Sequence, residues 1–152
     1  MSKPQQLKVL MAGAAILALA GCATITGTGK HAQLAPYSYH LDTKLNILKV
    51  DLTKVPQLKK PGGAVKFIDS RTRYRLIIAR VTETQFAAGY LNCPYRQTEL
   101  EYDPKRKVFA CPSVGKSVFK LNGEKLSGAA NRTLPVYQTS VEGNTLTILL
   151  AN

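Results

Sequence analysis

Two stretches of this chain have residue types and spacing that could do chemistry: "CPYRQTEL", residues 93 to 100, and "CPSVGKSVF", residues 111 to 119. Each is a Cys-Pro turn, and a basic, aromatic-containing hairpin separates them. Together they look like the frame of a metal site. A closed structural zinc site takes four ligands, and two cysteines supply half. The only histidines, His31 and His40, lack the short spacing to a cysteine that would bring an imidazole to the same ion, and both read as ordinary surface or strand residues. The Cys-x-x-Cys spacing of dithiol catalysts is absent. So are a nucleophile elbow, a phosphate-binding glycine loop and a calcium loop. Glu83, Glu99, Glu101 and Asp103 fall on strand ends or on the hairpin between the cysteines, where carboxylates read as solvated surface.

The elements that must hold these turns repeat with a period of two. Strand candidates are residues 44–52, 64–69, 74–81, 86–92, 107–112, 118–121, 134–142 and 145–151. Turn signals stand between them, including "KKPGG", "DPKRK" and a Gly143-Asn144 pair suited to a two-residue hairpin. No stretch carries an amphipathic helix. The pattern predicts an all-β sandwich or barrel. With 152 residues, 45% of them apolar, the chain has room for one domain with a real core.

The first residues read as an export leader. Lys3 and Lys8 precede a thirteen-residue apolar run, residues 9–21, too short to span a bilayer as a helix. The run ends in "LAGC", which resembles the bacterial lipobox. That resemblance implies cleavage before Cys22, acyl chains such as palmitate on Cys22, and a mature chain anchored on the periplasmic side of a membrane. Ala23 after the cysteine favours the outer membrane over the inner. The expected organisation is a signal peptide over 1–21, a lipidated cysteine and polar tether over 22–43, and an all-β domain over 44–152.

Lys and Arg number 21 against 9 Asp and Glu, a formal charge of +12. Outside the cytoplasm this balance points to anionic head groups or an acidic protein, and not to nucleic acid.

From about Lys44 to Leu150 the order of elements and motifs resembles the Rieske iron–sulfur domain, in particular its small bacterial ferredoxin type. The family pattern Cys-Pro-His-x-Gly-x-x-Leu is matched by Cys93, Pro94 and Leu100. Its pattern Cys-Pro-x-His-Gly is matched by Cys111, Pro112 and Gly115, and the closing segment from Leu126 follows the family's Leu-Pro-x-Tyr strand and terminal hairpin. The resemblance implies a Rieske-like antiparallel fold with a small two-loop subdomain. It also implies a site from which the nitrogen donors are gone: a Rieske centre uses two cysteines and two histidines, and the histidine positions hold Tyr95 and Val114. Gln97, in place of a glycine, suggests a first loop no longer shaped around a cluster.

By the same resemblance Cys93 and Cys111 face one another. In an oxidising compartment a disulfide between them is the expected replacement for the metal, with Tyr95 and Val114 filling the space left by imidazoles. The implied protein is a non-enzymatic binding or assembly component of the envelope, without a metal or other cofactor, beside a redox complex or an acidic partner. The alternative is a [2Fe–2S] electron carrier ligated by Cys93, Cys111 and unusual donors, and a thiol-based redox sensor is a third reading.

Overall fold

The computed structural model describes residues 30–151. The leader and Cys22 lie outside the described residues. Twelve strands follow in chain order: β1 (Ala32–Gln33), β2 (Tyr39–Asp42), β3 (Ile47–Asp51), β4 (Ala64–Ile68), β5 (Arg75–Arg80) and β6 (Phe86–Tyr90). Then come β7 (Glu101–Asp103), β8 (Val108–Ala110), β9 (Val118–Lys120), β10 (Lys125–Ser127), β11 (Val136–Glu142) and β12 (Thr145–Leu149). The only helical pieces among the described residues are three single 3₁₀ turns, and none is long or apolar enough to cross a membrane. The all-β expectation holds.

Eight strands form one curled sheet in the order β1-β4-β5-β6-β11-β12-β3-β2, and four form a small sheet in the order β10-β9-β8-β7. Strand β11 joins the two halves of the large sheet. Its first residues, Val136 and Tyr137, pair with β6, and its remaining five pair with β12. The sheet therefore bends along β11 into a half-barrel. The β11–β12 hairpin closes through Gly143 and Asn144, with Glu142 opposite Thr145 and Gly143 at φ +55°. The turn takes the left-handed conformation that glycine supplies at no steric cost.

Two cores result. Leu48 and Val50 of β3, Leu146 and Ile148 of β12, and Val65, Phe67, Leu76 and Ile78 of β4 and β5 fill the inside of the half-barrel. The opposite faces of β5 and β6 carry Ile77, Ala79 and Ala87. They pack against Leu100, Tyr102, Phe109 and Phe119 around the small sheet, and Cys93 and Cys111 belong to this second cluster. Because β4, β5 and β6 are covered on both sides, the period of two expected of them gives way to nearly continuous burial, Lys66 included. Each fully buried Leu, Ile or Phe contributes roughly 1.5–3 kcal/mol, so the small sheet that carries the cysteine turns is fixed to the large one by its own apolar core.

The tether expected over residues 22–43 is corrected from residue 30 onward. Strand β1 pairs in parallel with β4, β2 pairs with β3, and Leu34 and Ser38 are buried. Strand β1 is two residues long and β2 is a half-exposed edge, so neither leaves a hydrophobic period in the sequence. Strands β7 and β10, the short edges of the small sheet, also escape the sequence pattern.

Candidate functional site

The first turn leaves β6 at Leu91 and returns at Leu100. It is closed by Cys93 N–H donating to Thr98 O at 2.8 Å and Gln97 N–H donating to Cys93 O at 2.9 Å. The second leaves β8 and returns into β9, closed by Cys111 N–H to Ser117 O at 2.8 Å and Lys116 N–H to Ser113 O at 2.9 Å. Ala129 N–H binds Gly115 O, and Ala130 N–H binds the Ser117 hydroxyl. The segment after β10 thus braces the second turn.

Cys93 is wholly buried and Cys111 nearly so, and both are free thiols. Burial pushes the Cys111 thiol up from its ordinary value. The Ser113 hydroxyl, 2.9 Å from its sulfur, opposes that shift, and the neighbouring Cys93 thiol adds to it. The Cys111 sulfur is not a poised nucleophile, since the thiolate is the reactive form. The bridge expected between these two residues requires their oxidation.

Tyr95 and Val114 come to the tips of the two turns and do different things. A Cβ on Gly115 would stand 2.8 Å from Tyr95 Cδ1. Only glycine there lets the Tyr95 ring lie against the second turn. The Arg96 guanidinium sits 5.5 Å from the centre of the same ring on its own side, within cation–π range. Val114 is 91% exposed. The expectation that it fills vacated space is wrong: its side chain stands in solvent, and of the two only Tyr95 packs against the other turn.

Gln97 also departs from expectation. It sits at φ +57°, so the turn keeps the left-handed residue for which the resembled pattern has glycine. Its N–H bond to Cys93 O and the grip of Asn92 Nδ2 on its carbonyl at 2.5 Å hold that conformation.

The residues that sequence reasoning missed lie beneath the first turn. Lys66 of β4 has a side chain only 3% exposed, and its Nζ meets Glu99 Oε2 at 2.7 Å. Arg75 Nη2 approaches Glu99 Oε1 at 3.5 Å, and Arg75 Nε donates to Asn92 Oδ1 at 2.6 Å. An unbroken chain of charged and polar contacts therefore pins the first cysteine turn to β4 and β5. Glu99 is part of this buried network and not the solvated carboxylate expected. The available signal was Lys66 in the otherwise apolar run Ala64–Ile68: an ammonium buried on a sheet face requires a partner. Of the other three carboxylates, Glu83 is exposed at a turn, Glu101 pairs with Lys30, and Asp103 pairs with Arg106.

His40 is exposed on β2, in keeping with its reading as a strand residue. His31 ties two distant elements together. Its Nε2 accepts the backbone N–H of Tyr102 at 3.0 Å, joining the segment before β1 to β7. Desolvation and Lys30 hold its pKa below the usual value of 6.5, with Lys66 acting in the same direction and Glu101 and Glu99 opposing. A base with a depressed folded-state pKa stabilises the fold above its unfolded value. It gives up that stability as pH falls below about 6.5. Denaturant unfolding as a function of pH should show this acid-side loss. His31→Gln, which cannot titrate, should flatten it, and a loss on the order of one hydrogen bond, about 0.5–1.5 kcal/mol, is expected.

Among the described residues no group of three or more His, Cys, Asp or Glu side chains converges as a metal-holding set. The donor chemistry agrees with that geometry. A [2Fe–2S] centre of Rieske type needs two nitrogen donors opposite two thiolates. Here the corresponding positions offer a phenol packed on Gly115 and an exposed aliphatic side chain. These residues do not fit that group.

Comparison with known proteins adds little to this picture. No family model matches the chain, and no curated protein matches it. Among solved structures, the chain is similar to the plasma-membrane Rieske protein PetC3 of the cyanobacterium Synechocystis PCC 6803. Identity is 23% over 56% of this chain and 84% of that one, with a TM-score of 0.47.

Proposed function

We propose that this chain is an exported, lipid-anchored envelope protein whose Rieske-like all-β domain carries no iron–sulfur cluster. In this reading it acts as a non-catalytic binding or assembly component. One observation carries the proposal: two buried cysteines stand next to one another at the bases of two braced turns, while the positions that the resemblance gives to the cluster's histidines hold Tyr95 and Val114. In an oxidising compartment such a pair closes to a Cys93–Cys111 disulfide. The bridge would lock the two turns together and leave their outer faces free to engage a partner. Acylation at Cys22 would hold the domain at the periplasmic side of a membrane, the outer membrane being favoured, and the basic surface would meet an acidic protein or an envelope redox complex. Residues from 30 onward belong to the fold, so any tether is confined to the residues between Cys22 and Lys30.

Visible absorption of the purified full chain, combined with an iron and thiol count, tests the proposal. A colourless protein without iron, in which Cys93 and Cys111 resist alkylation until a reductant and a denaturant are both added, is the expected result. Bands between about 400 and 600 nm with about two irons per chain would instead establish the electron-carrier alternative.

A further inference from the structure

The small sheet and its turns have an unusual balance of charge. Between Leu91 and Leu134 every carboxylate is already engaged: Glu99 by Lys66 and Arg75, Glu101 by Lys30, Asp103 by Arg106, and Glu124 by Lys120. Arg96, Lys116 and Lys125, in contrast, have no carboxylate partner among the described residues. These three cations are close in space. Arg96 lies over the Tyr95 ring, that ring lies against Gly115 beside Lys116, and Lys125 Nζ reaches Gly128 O next to the segment that braces the second turn. Exposed apolar groups stand on the same two turns: Tyr95 at 46% and Val114 at 91%. Alongside runs a groove of about 430 Å³, lined by Arg106, Ala110, Cys111, Pro112, Lys116 and Val118 together with Ser127.

We infer that this face is a docking surface for a carboxylate-rich segment of another protein, with apolar residues of that segment seated on Tyr95 and Val114. The inference rests on the binding-component reading above and gives it a place and a partner chemistry. Exposed apolar side chains beside unpaired cations, with an aromatic residue and an arginine in contact, have the composition of a protein–protein contact. The cations ask for carboxylates, and opposite charges across such a surface set partner choice and association rate. The concavity beside the second turn suits an inserted chain. A flat bilayer surface would gain nothing from a groove, and two exposed apolar side chains do not make the broad apolar face with which interfacial elements enter lipid.

The test uses the full chain and a fluorescent synthetic peptide of glutamates interspersed with leucines, followed by anisotropy. Vesicles of phosphatidylcholine with phosphatidylglycerol are run in parallel. Binding of the peptide that weakens as salt rises is expected. Arg96→Glu combined with Lys116→Glu should weaken it at least about 10-fold, with far-ultraviolet circular dichroism showing that the variant is folded. The control pair Lys44→Glu and Lys60→Glu, which carries the same change of net charge on other loops, should leave it unchanged. Amide shifts in labelled protein should map to residues 95–97 and 112–118. Three results would overturn the inference: no peptide binding at low salt, an equal loss in the control pair, or binding to the vesicles in place of the peptide. The iron and thiol count is independent of each of them, so failure here and failure of the cluster-free reading are separable.

Discussion

Replacing Glu99 by Ala is expected to destabilise the domain by about 3–5 kcal/mol, because it strands the Lys66 ammonium in the interior. Lys66 Nζ is held at 2.7 Å by Glu99 Oε2, and only 3% of the lysine side chain is exposed, so the ammonium loses the carboxylate that offsets its burial. In thermal unfolding the change corresponds to a fall in Tm on the order of 15 °C. The partners are not equivalent. Lys66→Met leaves Glu99 with Arg75 and an 18% exposed side chain, so it should be milder. The double variant Lys66→Met with Glu99→Leu should recover most of what Glu99→Ala loses, since an apolar pair of similar volume often replaces a buried ion pair without penalty. A double-mutant cycle on Tm and denaturant midpoint measures the coupling. If Glu99→Ala stays within about 1 kcal/mol of the parent, like an ordinary surface substitution, Lys66 has found another partner and the network does not anchor the turn.

The second large effect concerns the cysteines. The proposed bridge would close a loop with seventeen residues between its ends, which is worth about 3 kcal/mol on the chain-entropy model. Air-oxidised protein should therefore melt well above protein reduced in denaturant and refolded with a reductant present. The Cys93→Ser, Cys111→Ser variant should behave like the reduced form and be indifferent to reductant. Both sulfurs are buried and the Cys111 thiol is pushed up by that burial. Exchange with external thiols should consequently be slow in the folded state. A reduction potential below about −300 mV would mark the bridge as structural and remove the redox-sensor reading. Identical melting of oxidised and reduced protein, with two titratable thiols in each, would mean that no bridge forms.

Much of the sheet was readable from period and turn chemistry. All eight strand stretches expected from the sequence contain observed strands, and the Gly143-Asn144 turn closes its hairpin. The misses share one property. Strands β1, β2, β7 and β10 are the edge strands of the two sheets and have two to four residues each. They are strands because an inner neighbour offers them hydrogen-bonding groups, and that is information about position in space.

The site divides in the same way. Residue identity alone placed two cysteines in Cys-Pro turns and showed that Tyr95 and Val114 bring no nitrogen donor to them, because donor atoms belong to a side chain wherever it is placed. Identity also set the surplus of positive charge. It did not reveal that Val114 would face water while Tyr95 closes over Gly115. Nor did it show that Gln97 would hold a left-handed turn, or that Glu99, which looks like a surface carboxylate, would neutralise a lysine thirty-three positions away. The Gln97 turn is held by bonds to Cys93 and Asn92 close by in the chain, whereas the other outcomes depend on what each side chain meets from a distant segment. Partners so distant along the chain are brought together only when both sheets have formed, so the donor set was fixed by composition and the burial, pairing and exposure of its neighbours by packing.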